Sequence, residues 1–131
     1  MGKGLAGFLA RWSPALLVMA VIFVASATPG EELPDAGRFD MLVRKGGHFL
    51  GYALLGAAYL RGLAWRRRPA IRDLEVALLM ALLYAASDEI HQRFTPGRRP
   101  AVSDVLLDGV GAALGAAAWA RRSRRRLERP D

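Results

Sequence analysis

With no cysteine in its 131 residues, the chain has two histidines and twelve carboxylates as its main chemical equipment. Asp88-x-x-His91 sets a carboxylate and an imidazole on one helical face, as in the pairs that build carboxylate-bridged metal bundles. Asp104, with Asp108 and His48, would complete an oxygen- and nitrogen-rich set. The string is short, however, and neither a tightly held metal nor any other cofactor is expected. His48 and Glu89 are the candidates for a general base. No Ser-His-Asp order and no H-E-x-x-H string occurs, and Gly109, Gly111 and Gly115 miss the dinucleotide-binding spacing inside an apolar run.

The elements that must position these groups are four apolar stretches, the second broken by His48 and Arg61 and the fourth carrying Asp104 and Asp108 near its start. They run from about Trp12 to Ala27, Gly46 to Ala64, Leu74 to Ala86 (continuing polar to Gln92) and Ala101 to Ala120. Leu, Ala, Val and Gly fill them without leaving a polar face, and a helix apolar all round belongs in a bilayer or a large core. A 131-residue chain has no such core, so the fold class is an all-α integral membrane bundle of four transmembrane helices. It reads as a single domain over residues 1–131, with a core of about 12–120 and an arginine-rich tail at 121–131.

The 19 basic residues cluster between the stretches. Alternating sides collects 13 of them with the two termini and the second connection, and 6 on the other side. Positive-inside then predicts N-in and C-in, with those flanks cytoplasmic. Basic residues beside apolar segments argue for a lipid membrane as partner and against nucleic acid. Lys3, Arg11 and the Ala25-Ser26-Ala27 string also fit a cleaved signal peptide, which would leave three spans. Thr28-Pro29-Gly30, Arg68-Pro69, Thr95-Pro96-Gly97 and Arg99-Pro100 punctuate the stretches, and Asp73 with Glu75 suits the start of the third helix.

On this topology the polar residues converge on the outer side, Arg61 excepted. Lys45, His48, Tyr52 and Tyr59 share a stripe of the second helix, and Tyr84, Asp88 and His91 or Gln92 a stripe of the third. Asp104, Asp108, Gly111 and Gly115 follow i, i+4, i+7, i+11 on the fourth, which turns its acids into the bundle; Gly47 and Gly51 offer a matching close-approach face. Lys45, His48, Tyr52, Asp88, Glu89, His91, Gln92, Arg98, Asp104 and Asp108 are thus the expected pocket. Ionisable groups at membrane depth are costly and by default mark function. The plainer reading is glue, with Asp88–Arg98 pinning a turn and His48–Asp104 joining helices.

At these residues the chain resembles the VanZ-like family of small bacterial membrane proteins. The matching stretches are Lys45 to Tyr52, Ser87 to Arg98 and Asp104 to Gly115, with Ala25 to Gly30 similar to the turn after the family's first span. The resemblance covers roughly Val21 to Ala116. It implies four transmembrane helices with the first retained, in the bacterial inner membrane. The family's namesake is associated with low-level resistance to teicoplanin, a lipoglycopeptide acting on cell-wall precursors outside the membrane. An outward-facing pocket for an envelope lipid, a lipid-linked cell-wall precursor or a lipoglycopeptide is the expected function. In it Lys45, Arg98 and Arg99 meet anionic groups, while Asp104 and Asp108 position His48 or Lys45. The alternatives are a membrane enzyme acting on a lipid-linked or phosphate-bearing substrate and a structural subunit. Four short spans bury little surface, which leaves room for a homo-oligomer.

Overall fold

The computed structural model describes residues 2–29 and 38–127. They form four helices and no strand: α1 (Gly2–Ala27), α2 (Arg38–Leu63), α3 (Ile71–Gln92) and α4 (Val102–Leu127). The acidic residues Glu31, Glu32 and Asp35 of the first connection, and Arg129 of the tail, lie outside the described residues. Consecutive helices run antiparallel. α2 and α3 each pack against all three others, whereas among the described residues α1 and α4 do not meet. Two helices, Gly4–Ala27 and Val102–Arg126, are by length and composition apolar enough to cross a membrane.

Both terminal helices outrun the sequence reading. α1 begins near Gly2 rather than Trp12 because Arg11 does not face away from the bundle: its Nε donates to Gly62 O of α2 at 2.6 Å. Arg61 returns the contact, donating to Arg11 O at 3.0 Å and Ala10 O at 3.3 Å. The one charge that fell outside the polar end is therefore satisfied by backbone carbonyls. Arg121 to Leu127 continue α4 as helix, so its described basic residues form a cationic helix end. Cations suit the negative end of the helix dipole.

The α2–α3 connection is a compact turn. Arg67 grips Asp73 through two contacts of 2.6 and 2.7 Å, and Asp73 accepts the Ala70 N–H at 2.8 Å, covering an exposed donor at the start of α3. Arg67 first, and the Ala70 amide second, hold the Asp73 carboxyl below its usual range; this residue precedes the apolar stretch of α3. A depressed carboxyl contributes stability above its ordinary pKa, and that contribution is lost as pH falls through the folded value. The Arg67 side chain is half exposed, so the contribution is small.

Side-chain sizes run opposite to those of a soluble bundle. The interior is lined by alanine, with Ala77, Ala81, Ala85, Ala112, Ala116 and Ala120 buried. Tyr52, Leu55, Tyr59 and Leu60 of α2 and Ile22 of α1 are the large side chains buried among them, while many others face out: Leu17 is 67% exposed, Leu54 54%, Leu83 63% and Leu114 57%. Burying alanine while exposing leucine removes little apolar area from water, so water offers this arrangement little stabilisation. In lipid, small interior residues permit the close approach on which helix association depends.

The closest approach is between α2 and α4. A Cβ on Gly115 would fall on the Ala53 carbonyl, one on Gly56 on the Ala112 carbonyl, and one on Gly111 2.5 Å from Phe49 O. The predicted stripe of α4 thus faces α2. Its expected counterpart is corrected: Gly47 has nothing within 4 Å of a Cβ, and Gly51 faces Ile22 of α1. The α2 surface that receives α4 is instead built around Phe49, Ala53 and Gly56, because α1 occupies the Gly51 face. Replacing Gly115 by Val should destabilise detergent-solubilised protein by about 1–3 kcal/mol or more through overpacking. Gly47→Ala should leave the melting temperature unchanged or slightly raised. Equal melting of the two variants would remove the close approach as a constraint.

Candidate functional site

A pocket of about 410 Å³ lies at the end of the bundle where α2 and α4 begin and α3 ends. Lys45, His48, Glu89, Gln92, Arg98, Asp104 and Asp108 line it, together with Arg44, Arg99 and Ala101. Seven of the ten expected residues therefore share one cavity. The other three stand apart. Tyr52 is fully buried, its ring 6.3 Å from His48 and 6.2 Å from Tyr84. Asp88 is buried behind His48. His91 turns to α1, where it stacks on Phe23 at 4.7 Å.

The ion pairing differs from the His48–Asp104 pair of the plainer reading. Lys45 Nζ meets Asp104 Oδ1 at 2.6 Å, while His48 Nδ1 stands 3.9 Å from Asp88 Oδ2 and from Asp108 Oδ2. His48 is thus flanked by two buried carboxylates from α3 and α4, and Asp104 serves Lys45. A difference of four residues sets this register: Asp104 lies one turn closer to the end of α4, level with Lys45, and Asp108 level with His48.

Asp88 does not pin the turn through Arg98. Its Oδ2 accepts from Ser26 Oγ at 2.7 Å and from Gln92 Nε2 at 3.0 Å. Arg98 reaches α1 instead, donating to Ala25 O at 2.7 Å and to Thr28 O at 3.3 Å. These carbonyls belong to the last turn of α1 and the residue after it, where acceptors lack intrahelical donors. The turn that delivers Arg98 was legible: Thr95-Pro96-Gly97-Arg98 closes with Arg98 N on Thr95 O at 3.2 Å, and Gly97 has φ 73°. A type II turn asks for Pro and then Gly at its two central positions. Glu89 accepts the Ala101 N–H and so ties α3 to the approach of α4.

Ser26 is the residue that sequence reasoning missed. It is fully buried and hydrogen-bonded to Asp88, yet between two alanines it read as a cleavage string. A buried serine on an otherwise apolar helix was the available signal. The metal candidates Asp88, His91 and Asp104 are not gathered, since His91 faces Phe23 and Asp104 faces Lys45. Among the described residues no three His, Asp or Glu side chains form a group able to hold a metal ion.

Removing one partner of a buried polar pair leaves the other undersatisfied, at about 1–3 kcal/mol. Ser26→Ala should lower stability by that amount, whereas Thr28→Ala, which removes only an exposed bond to Val24 O, should cost a few tenths. Thermal unfolding in one detergent compares them, and a Ser26→Ala protein as stable as Thr28→Ala would mean the Asp88 contact contributes nothing.

No curated protein and no solved structure matches the sequence. A family model described as VanZ/LLP1 matches residues 11–122, which takes in α2, α3, most of α1 and α4, and every pocket residue. On that match the chain belongs to the VanZ/LLP1 family.

Proposed function

We propose that the chain is a four-span protein of the bacterial inner membrane, with both termini cytoplasmic. Its outward-facing pocket binds the anionic part of an envelope component: a lipid-linked cell-wall precursor, an envelope lipid or a lipoglycopeptide. The observation that carries the reading is the 410 Å³ cavity in which Arg44, Lys45, His48, Arg98 and Arg99 meet Glu89, Asp104 and Asp108 at one end of the bundle.

Several facts support it. The four helices have 26, 26, 22 and 26 residues, and at 1.5 Å per residue each is long enough for a hydrocarbon layer of about 30 Å. The helix faces turned away from the bundle carry exposed leucine and valine. The clusters Arg66 to Arg68 and Arg121 to Arg126 lie at the end opposite the pocket, as positive-inside orientation requires. In the pocket, Lys45 and Arg99 are the cations we assign to a phosphate or carboxylate. Arg98, committed in part to α1, holds the wall in place.

His48 between Asp88 and Asp108 favours a second reading. Carboxylates that orient an imidazole are the arrangement of a general base, and an enzyme acting on a phosphate-bearing lipid would use it so. A structural subunit remains the third reading.

Reporter fusions after Asp131 and within Arg66 to Arg68 should both report the cytoplasm; a periplasmic signal at either would end the four-span reading. For the pocket, reconstituted protein is titrated with teicoplanin and with a lipid-linked cell-wall precursor. Lys45→Gln combined with Arg99→Gln should weaken binding about tenfold or more, with folding retained. His48→Gln then divides the readings. Binding kept with turnover lost marks the enzyme, binding lost marks the binding module, and no effect from any of these variants removes the pocket as a site.

A further inference from the structure

A second concavity lies on the outer face of the α2–α4 pair, toward the opposite end of the bundle. It is a groove of about 850 Å³, walled by Ala53, Leu54 and Ala57 of α2 and by Gly115, Ala118 and Trp119 of α4. Arg121, Arg122, Arg125 and Arg126 close one end of it. The four arginines follow i, i+1, i+4, i+5, which places them on one face of α4 above the apolar floor. Arg124 does not line the groove.

We propose that this groove holds one anionic phospholipid of the inner leaflet, its phosphate on the arginines and one acyl chain along the alanine and glycine floor. The proposal rests on the membrane reading above but not on the pocket at the other end. Three observations carry it. The charge is complementary, since guanidinium groups pair with phosphate oxygens in planar, bidentate geometry. The order along the axis fits: the floor from Gly115 to Trp119 spans about 6 Å and takes the first carbons of an acyl chain, and the arginines of the next two turns stand at headgroup level. The floor is also low because its side chains are small: Ala53, Ala57, Gly115 and Ala118 line it, and the Gly115 backbone lies against Ala53. Trp119, between the apolar floor and the arginines, stands where an amphipathic ring meets the headgroup boundary. Basic sites between helices on the cytoplasmic side are a recurrent way to hold anionic headgroups.

The test uses full-length protein in a neutral detergent, titrated with phosphatidylglycerol or with phosphatidylcholine of the same chain length. Native mass spectrometry reads occupancy and thermal unfolding reads stabilisation. The wild type should retain one phosphatidylglycerol and prefer it over phosphatidylcholine by about tenfold or more. Changing Arg121, Arg122, Arg125 and Arg126 to Gln should reduce that preference to about twofold or less. An equal-charge control, Arg66, Arg68, Arg72 and Arg124 changed to Gln, should keep it. Ala57→Leu together with Ala118→Leu, which fills the floor and leaves every arginine, should lower occupancy by both lipids.

Glycerol phosphate alone should give no stabilisation; an effect as large as the lipid's would assign the site to free phosphate and overturn the acyl-chain half of the proposal. Equal loss of preference in both arginine variants would reduce the effect to net charge and overturn it. A dimer that phosphatidylglycerol does not displace would give the groove to a second copy and overturn it as well. Solubility of the chain without detergent would instead end the membrane reading itself.

Discussion

The carbonyl oxygens of Phe49 and Ala53 occupy the space where Gly111 and Gly115 would carry side chains, and the rest of the bundle is arranged around that contact. Backbone-to-backbone packing brings α2 and α4 closer than two leucine-faced helices could approach. α2 and α3 each also touch the other three helices, and the α2–α4 pair has the most extensive contact. The same closeness brings Lys45 to Asp104 and His48 to Asp108 at the end of the pair.

Polar groups at the two ends solve one problem in two ways. At the basic end, Arg11 and Arg61 cross between α1 and α2 and satisfy main-chain carbonyls. At the pocket end, Arg98 does the same for the end of α1, and carboxylates do the rest of the joining: Asp88 with Ser26, Glu89 with the amide of Ala101, Asp104 with Lys45. Most of these contacts join segments 50 or more residues apart, and Glu89–Ala101 ties α3 to the start of α4. The consequence for function is a wall of fixed charges around a cavity, already held in position by bonds within the protein. For the anion proposed above, polar groups already held in place would need no rearrangement.

Much of this was legible in the residues themselves. Four mainly apolar runs separated by proline- and glycine-containing turns fix four helices, because a main chain among apolar side chains must satisfy its own hydrogen bonds. Thr95-Pro96-Gly97 fixes a turn, since proline presets one dihedral and glycine alone accepts the next without strain. The periodicity of Asp104, Asp108, Gly111 and Gly115 fixes the inward face of α4, because residues at those spacings share a side whatever the helix packs against. That lysine, histidine and carboxylates gather at one end follows from the same local rules.

Which of them meet is a matter of tertiary structure. His91 satisfies the same spacing rule as Gln92, yet it stacks on Phe23 while Gln92 enters the polar cluster, because the rotation of α3 is set by its neighbours. Gly47 and Gly51 look alike in sequence to Gly111 and Gly115, but α1 covers one and nothing covers the other. Ser26 gains its role only because Asp88, 62 residues away, arrives opposite it. Local rules assign a residue to a face, since they act through the period of the helix. Whether that face meets a carboxylate, an aromatic ring or lipid depends on the depth and rotation at which separate helices pack, and no local period encodes these.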